Sequence, residues 1–307
     1  NKLQDLAAQR MGKEAALLVP SGTMANLVSI LTHCGRGAEV ILGNRAHSYK
    51  YEKGGISAYG SVHPAQIPNQ VDGTMQLEDI REAIRGIDDH FPVTKLICLE
   101  NTHNVCGGAP LSVAYTKEVA NLARANDITL HIDGARIFNA AVALGVEVQA
   151  LVEDADSVSF CLSKGLSAPV GSIICGSKDF IDQARGIRKG LGGGMRQAGI
   201  IAAAGIVALE TMVDRLQEDH TNARLLADGI ADLPGIILDP ELIKTNIIYF
   251  DMDDAAMESA DFLAALSTKG IQFFDTGPRR FRMVTHYGIT AEDILYTIDG
   301  FKQTLAD

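Results

Sequence analysis

The stretches HIDGAR, residues 131–136, and SVSFCLSKGL, residues 157–166, decide the fold of this chain. At each, a run of apolar and β-branched residues predicts a buried strand that leads to a charged side chain, Asp133 in the first and Lys164 in the second. The carboxyl ends of parallel strands meet at one edge of an open sheet, where ligands bind. We therefore expect Asp133 and Lys164 to lie together at that edge.

A lysine and an aspartate in this arrangement suit the chemistry of pyridoxal 5'-phosphate. The lysine amine forms a Schiff base with the cofactor, and the aspartate keeps the pyridine nitrogen protonated, so that the ring accepts electrons. Small and apolar residues flank Lys164, which favours its neutral, nucleophilic amine.

Other interpretations of these two residues stay open on the pattern alone. Lys164 could be an exposed loop lysine, and Asp133 could form a turn or cap a helix. A metal site at Asp133 and His131 lacks a third ligand nearby, and a dinucleotide site lacks the G-x-G-x-x-G turn.

Alternation of short β-branched runs with longer helical patterns predicts an α/β fold, with a mostly parallel sheet covered by helices on both faces. We expect strands at 15–19, 39–42, 95–100, 128–133, 157–162 and 171–175. We expect helices at 23–33, 77–85, 112–126 and 180–189.

A long helical stretch, 196–233, changes from apolar to charged near 211–214. We interpret it as the bridge between a large cofactor-binding domain, 1–212, and a smaller C-terminal α+β domain, 213–307. In the smaller domain we expect strands at 245–250 and 280–285 and helices at 259–269 and 291–305.

Composition limits the class of protein. The formal net charge of −11 argues against nucleic acid or an anionic membrane as a partner, and no apolar run is long enough to span a bilayer. The five cysteines show no CxxC pair and no metal-ligand spacing, and most lie in apolar runs. Free thiols in a reducing compartment are therefore expected, and we predict a cytoplasmic protein without a bound metal.

The segment SGTMAN, residues 21–26, joins the first predicted strand to a helix. Ser21 suits the N-cap, and Gly22 lets an anion approach the backbone. The first N–H groups and the dipole of the helix attract a phosphate. An ordinary capped helix is the alternative, but the presence of Lys164 and Asp133 favours a phosphate site.

Several strings, spread in order over nearly the whole chain, match those of a known family. They are PSGTMAN (20–26), AH (46–47) with YEKGG (51–55), LENTHN (99–104), HIDGARIFNA (131–140), CLSKGL (161–166) and GGGMRQ (192–197). In these strings the chain resembles the L-threonine aldolases. They belong to the aromatic amino acid β-eliminating lyase group of the aspartate-aminotransferase-like (fold type I) pyridoxal-phosphate enzymes. The resemblance implies retro-aldol cleavage of L-threonine or L-allo-threonine to glycine and acetaldehyde.

The resemblance also assigns roles at the cofactor. Lys164 matches the Schiff-base lysine, and Asp133 matches the partner of the pyridine nitrogen. Gly22 and Thr23, next to Ser21, match the phosphate-binding turn of the family. His47 matches the histidine stacked on the ring, and His90 a second histidine near the substrate hydroxyl. The base would be a water held by one of these two histidines.

Four basic residues complete the implied site. Arg136 and Arg282 match arginines near the cofactor and the substrate carboxylate, although the strand pattern alone does not separate Arg282 from Arg280. Lys189 and Arg196 match residues that reach the cofactor from a neighbouring subunit. The resemblance therefore implies a homo-oligomer, a dimer or a tetramer, with a shared active site.

The chain departs from the family pattern at its start. Family members begin with a further few dozen residues, which carry a serine that contacts the substrate carboxylate and a tyrosine near the active site, whereas this chain begins at Asn1. We expect a fragment or a variant with a rebuilt entrance. Alternative functions are another pyridoxal-phosphate lyase, a racemase or a transaminase, or a non-catalytic cofactor-binding relative.

Overall fold

The computed structural model describes residues 1–254 and 257–306, which divide into two compact units. The first unit contains Asn1–Cys106 and Pro110–Asp214; the second contains Gly107–Ala109 and the chain from Arg215 onward. We expected the boundary between residues 212 and 213, and the structure has it two residues later, between residues 214 and 215. No sequence pattern predicted that Gly107–Ala109 joins the second unit.

A seven-stranded sheet lies at the centre of the first unit, counted over the described residues. Its strands are Ala15–Val19 (β1), Glu39–Gly43 (β2), His63–Ile67 (β3), Thr94–Glu100 (β4), Thr129–Asp133 (β5), Ser157–Cys161 (β6) and Ser172–Gly176 (β7). The order across the sheet is β1-β7-β6-β5-β4-β2-β3. Every residue of β2, β6 and β7 is buried, as expected for strands covered on both faces.

The directions of the strands confirm the predicted mostly parallel sheet and add one exception. β7 is antiparallel to both of its neighbours, β1 and β6, so β1 runs in the same direction as β6. The pairs β5–β6, β4–β5, β2–β4 and β2–β3 are parallel. The carboxyl ends of β1, β2, β4, β5 and β6 therefore share one edge.

Helices of the first unit are Lys2–Met11 (α1), Gly22–His33 (α2), His47–Lys50 (α3), Gly55–Ala58 (α4), Leu77–Ala83 (α5), Val113–Ala125 (α6), Ile137–Leu144 (α7), Val148–Val152 (α8), Lys178–Gly190 (α9) and Gly199–Thr211 (α10). Ser21, Ser112 and Ser177 cap α2, α6 and α9 by accepting a backbone N–H of the first turn. Each predicted helix of this unit outside the 196–233 stretch is confirmed, with ends shifted by no more than two residues.

The prediction for the 196–233 stretch is partly wrong. Residues 196–198 precede the helix, and the stretch is divided into α10 and a second helix, Leu216–Ile230 (α11), by a break at residues 212–215. The change from apolar to charged residues marks this break.

The second unit contains, after α11, the strands Ile236–Ile237 (β8), Ile247–Met252 (β9), Phe274–Gly277 (β10) and Arg280–Val284 (β11), a short 3-10 helix Pro240–Leu242, and the helices Ser259–Thr268 (α12) and Ala291–Ala306 (α13). The strands form an antiparallel sheet in the order β10-β11-β9-β8. Phe250, Phe262, Phe281 and Phe301 are fully buried in its core. The predicted small α+β domain is confirmed. Over the residues that the structure describes, none of the helices combines the length and the hydrophobicity needed to cross a membrane.

Candidate active site

The shared carboxyl edge of the first sheet gathers the predicted chemical groups. Asp133 ends β5, Lys164 follows β6, and residues 21–23 follow β1. In the register of the sheet, Asp133 pairs with Glu100 of β4 on one side and with Ser159 of β6 on the other. Topology thus brings together side chains that are far apart in sequence.

Asp133 is buried and held by two donors. The Nδ2 atom of Asn26 donates to Oδ2 at 2.7 Å, and the backbone N–H of Ala135 donates to Oδ1 at 3.1 Å. A carboxylate with both oxygens engaged has a fixed orientation. The carboxylate is therefore presented at the edge in one position, as a partner of a ring nitrogen requires.

Asn26 connects this carboxylate to a second one. Its Nδ2 atom also donates to Oε1 of Glu52 at 2.9 Å, and its Oδ1 atom accepts from the Ser159 hydroxyl at 3.1 Å. Burial raises the pKa of Glu52, as does the charge of Asp133, while its hydrogen bonds with His47 and Asn26 oppose the rise. One buried amide therefore bridges two buried carboxyl groups.

His47 begins α3 and completes the cluster. Its Nδ1 atom lies 2.9 Å from Oε1 of Glu52, and its backbone N–H donates to Oε2 of Glu100 at 2.7 Å. The hydrogen bond with Glu52 raises the pKa of His47; burial and the charge of Lys164 oppose this, and the charge of Asp133 supports it. The charges of Asp133 and Lys164 therefore both act on the ring of His47.

The turn before α2 packs closely against β6. Ser21 accepts the backbone N–H of Met24 at 3.2 Å, and a β-carbon added at Gly22 would lie 2.9 Å from Sγ of Cys161. Only glycine fits there without displacing the cysteine. The first N–H groups of this twelve-residue helix lie at the same edge, and free N–H groups at a helix N-terminus stabilise an anion.

The remaining predicted residues lie in different places. Arg136 precedes α7, three residues after Asp133. Lys189 is in the last turn of α9, where a β-carbon added at Gly194 would lie 2.8 Å from its Cδ, so the glycine loop packs on it. Arg196 is exposed just before α10, and Arg282 is a half-buried residue of β11 in the second unit.

His90 is not brought to the cluster within a single chain. Its side chain is 85% exposed, and its ring contacts are with Asp88, 2.8 Å away, and with the ring of Phe91. Its role near the substrate hydroxyl stays a prediction from the resemblance.

Three residues of the site were not assigned a role from sequence. Asn26 and Glu52 lie within the strings that carry the family resemblance. The pattern that could have identified Asn26 is a polar residue on the buried face of α2. His103, after β4, is also buried. Burial lowers its pKa, but Glu100, Cys106 and Asp133 outweigh burial, so its pKa is raised.

Comparison with known proteins decides the family. The profile described as beta-eliminating lyase matches residues 1–253 of this chain. The chain belongs to the beta-eliminating lyase family.

Similar members carry a more specific name. Low-specificity L-threonine aldolase 1 of Arabidopsis thaliana is 50% identical over 99% of this chain and 86% of its own length. Low specificity L-threonine aldolase of Escherichia coli is 43% identical over 100% of this chain and 89% of its own length. The crystal structure of a putative L-allo-threonine aldolase from Listeria monocytogenes has a TM-score of 0.85 at 19% identity, covering 99% of this chain and 86% of that one. This structural match confirms the predicted fold type I architecture.

Membership of the family makes the chain a pyridoxal-phosphate-dependent lyase, and the residues at the edge fit that cofactor. Asp133 is buried at this edge with both oxygens held by donors, so its carboxylate would meet a protonated pyridine nitrogen in one fixed position. Lys164 would hold the aldehyde end, and residues 21–23 would hold the phosphate.

Proposed function

We propose that this chain is a threonine aldolase that cleaves L-threonine or L-allo-threonine to glycine and acetaldehyde. The observation that carries the proposal is the union of Lys164, Asp133 and His47 at one sheet edge, with His47 bound to Glu52. The names of the relatives at 43% and 50% identity support the same reaction.

Each residue of the edge contributes one element of the reaction. Pyridoxal phosphate, when bound, supplies the electron sink for a bond that breaks at Cα. Asp133 would hold a proton at the ring nitrogen, the turn 21–23 would hold the phosphate, and Lys164 would hold the aldehyde carbon through its amine. The first unit is thus proposed as the cofactor-binding domain.

Two groups select the bond that breaks. Arg136 is proposed to bind the substrate carboxylate, and Arg282 keeps the same predicted role. A fixed carboxylate limits the rotation about Cα and would thereby decide which bond at Cα is broken. His47, or a water that it holds, takes the proton of the β-hydroxyl, with His90 as the second predicted histidine.

The test is acetaldehyde release by the purified chain with pyridoxal phosphate, with L-threonine and L-allo-threonine offered separately. Lys164→Ala should abolish release, whereas the matched variant Lys178→Ala, at an exposed lysine of α9, should retain it. Release that survives in Lys164→Ala, or no release by the cofactor-loaded chain, contradicts the proposal. Product analysis would then distinguish elimination, racemisation and transamination from a non-catalytic relative.

We also propose a homo-oligomer, dimer or tetramer, in which Lys189 and Arg196 serve the site of a neighbouring subunit. Support comes from α10, where Ile200 is 86% exposed and Val207 is 55% exposed, two helical turns apart on one face. An exposed apolar stripe on a helix is typical of an interface.

Subunit mixing tests the shared site. Lys164→Ala and Arg196→Ala homo-oligomers are each expected to be inactive, but dissociating and reassociating them together should restore part of the activity. Such a mixture contains some sites with both native residues only if the two come from different subunits. Activity that stays absent in verified mixed oligomers contradicts sharing.

A cytoplasmic location is proposed on the state of the cysteines. Cys34, Cys98, Cys106, Cys161 and Cys175 are free thiols, and all except Cys106 are buried. Thiols persist in a reducing compartment. Cell fractionation that recovers the protein from an oxidising compartment would contradict this assignment.

A further inference from the structure

We propose that Glu52 is the positioning residue for His47, and that Asn26 locks this pair to Asp133 as one hydrogen-bonded unit. The inference rests on the proposed function only in taking His47 as the residue that meets the substrate. Its evidence is a set of contacts within the first unit.

The orientation of the Asn26 amide is fixed by its surroundings. Two carboxylate oxygens, from Asp133 and Glu52, lie 2.7 Å and 2.9 Å from Nδ2, and the Ser159 hydroxyl lies 3.1 Å from Oδ1. Rotating the amide by half a turn would set its oxygen against two acceptors. The amide therefore holds both carboxylates at a fixed separation and donates one hydrogen bond to each.

The carboxylate of Glu52 in turn fixes the tautomer of His47. An ionised carboxylate only accepts, so the contact of 2.9 Å requires a hydrogen on Nδ1 of His47. The basic atom of the neutral ring is then Nε2, which is the atom left to take the proton from the substrate hydroxyl. The negative charge of an ionised Glu52 then stabilises the resulting imidazolium.

The charged groups that face His47 are Glu52, Asp133 and Lys164, beside the ring of Tyr51. Glu100 is a further carboxylate nearby, but it contacts the backbone N–H of His47 rather than its ring. This difference offers a matched control. Glu52→Gln removes a carboxylate that contacts the ring of His47, whereas Glu100→Gln removes one that contacts only its backbone N–H.

The decisive measurement is the pKa of His47 by 15N-edited NMR in the cofactor-free protein, with the signal assigned by His47→Gln. We expect Glu52→Gln to lower this pKa by about one unit or more, and Glu100→Gln to lower it by clearly less. An unchanged pKa in Glu52→Gln, or equal shifts in the two variants, overturns the proposal.

A second measurement needs no substitution in the cluster and covers the case in which Glu52→Gln fails to fold. The 15N shifts of the native protein above the pKa of His47 should report the Nδ1–H tautomer. An Nε2–H tautomer overturns the proposal. Both readouts are independent of aldol cleavage, so a negative acetaldehyde assay would remove the proposed reaction and leave this arrangement of His47 to be judged separately.

Discussion

The Nδ2 atom of Asn26 lies 2.7 Å from Oδ2 of Asp133, although 107 positions separate the two residues. Asn26 is on α2, the helix whose N-terminus forms the proposed phosphate site, and Asp133 ends the central strand β5. One helix thus contacts both ends of the proposed cofactor site. Its first turn serves the phosphate, and its second turn braces the carboxylate that serves the ring.

Replacing Asn26 by alanine tests this brace. The variant leaves Oδ2 of Asp133 without its donor and leaves Oε1 of Glu52 with His47 alone. A buried polar group that loses its partner costs about 1–3 kcal/mol. We expect Asn26→Ala to weaken pyridoxal phosphate binding by about tenfold or more, measured by titrating the cofactor-free protein. Asn126→Ala, at an exposed residue that directly follows α6, is the control and should bind normally. Equal affinities in the two variants would contradict the role of the brace.

Gly22→Ala is expected to destabilise the turn before α2. Its new methyl group would lie 2.9 Å from Sγ of Cys161, and such overpacking costs about 1–3 kcal/mol. We expect a lower urea midpoint and weaker cofactor binding. Adding Cys161→Ala removes the clashing atom, so the double variant should recover part of both losses. No recovery would mean that the contact with Cys161 is not the reason for glycine at this position.

Acid should destabilise the fold through the buried His131 and the half-buried His33. His33 Nε2 and His131 Nδ1 each lie 2.7 Å from the Ser157 hydroxyl, and burial lowers their pKa values to about 4 and about 3; the charge of Asp156 opposes the shift of His33, while His33 adds to that of His131. Below pH 6.5 these two histidines become protonated in the unfolded chain but stay neutral in the folded chain. The free energy of unfolding should therefore fall by about 1.4 kcal/mol per pH unit for each histidine, from about pH 6 towards pH 4.

Urea unfolding at pH 7 and pH 5 measures this effect. Carboxylates also take up protons in this range, so the comparison is between the native protein and His131→Gln. The variant should lose less stability between the two pH values. The same loss in both would show that His131 does not resist protonation in the folded state.

The pH dependence of activity should follow His47. Its pKa is raised by Glu52, and the neutral ring is the form that accepts a proton, so kcat/KM should rise with pH through a value above 6.5. In Glu52→Gln this acid limb should move to lower pH, together with a lower maximum. If the acid limb of the Glu52→Gln profile stays at the same pH, the proton acceptor is not His47.

How far the sequence predicted the molecule depends on the range of the interactions. Lys164 and Asp133 stand at the ends of strongly apolar strands, and local pattern alone located them. β3 was missed because His63 and Pro64 begin a half-exposed strand at the sheet edge, which lacks a clear apolar pattern. The antiparallel direction of β7 was also missed, since pairing direction depends on distant partners.

The candidate site shows the same division. Local capping and glycine chemistry identified the phosphate turn, but the links from Asn26 to Asp133 and to Glu52 exist only after three segments meet. No periodicity encodes such a bridge. The resemblance placed His47 at the cofactor without revealing what holds its ring, which is Glu52.

The place of β1 in the sheet also sets the order in which the site is assembled during synthesis. Among the strands described, β1 is bonded only to β7, which ends at Gly176. The ribosome releases the turn 21–23 early, at about 5–20 residues per second, yet its strand has no neighbour until β7 emerges. The strand that carries the turn 21–23 therefore gains its sheet partner only after β7 has been synthesised, so capture of the cofactor would be a late event in the synthesis of the chain.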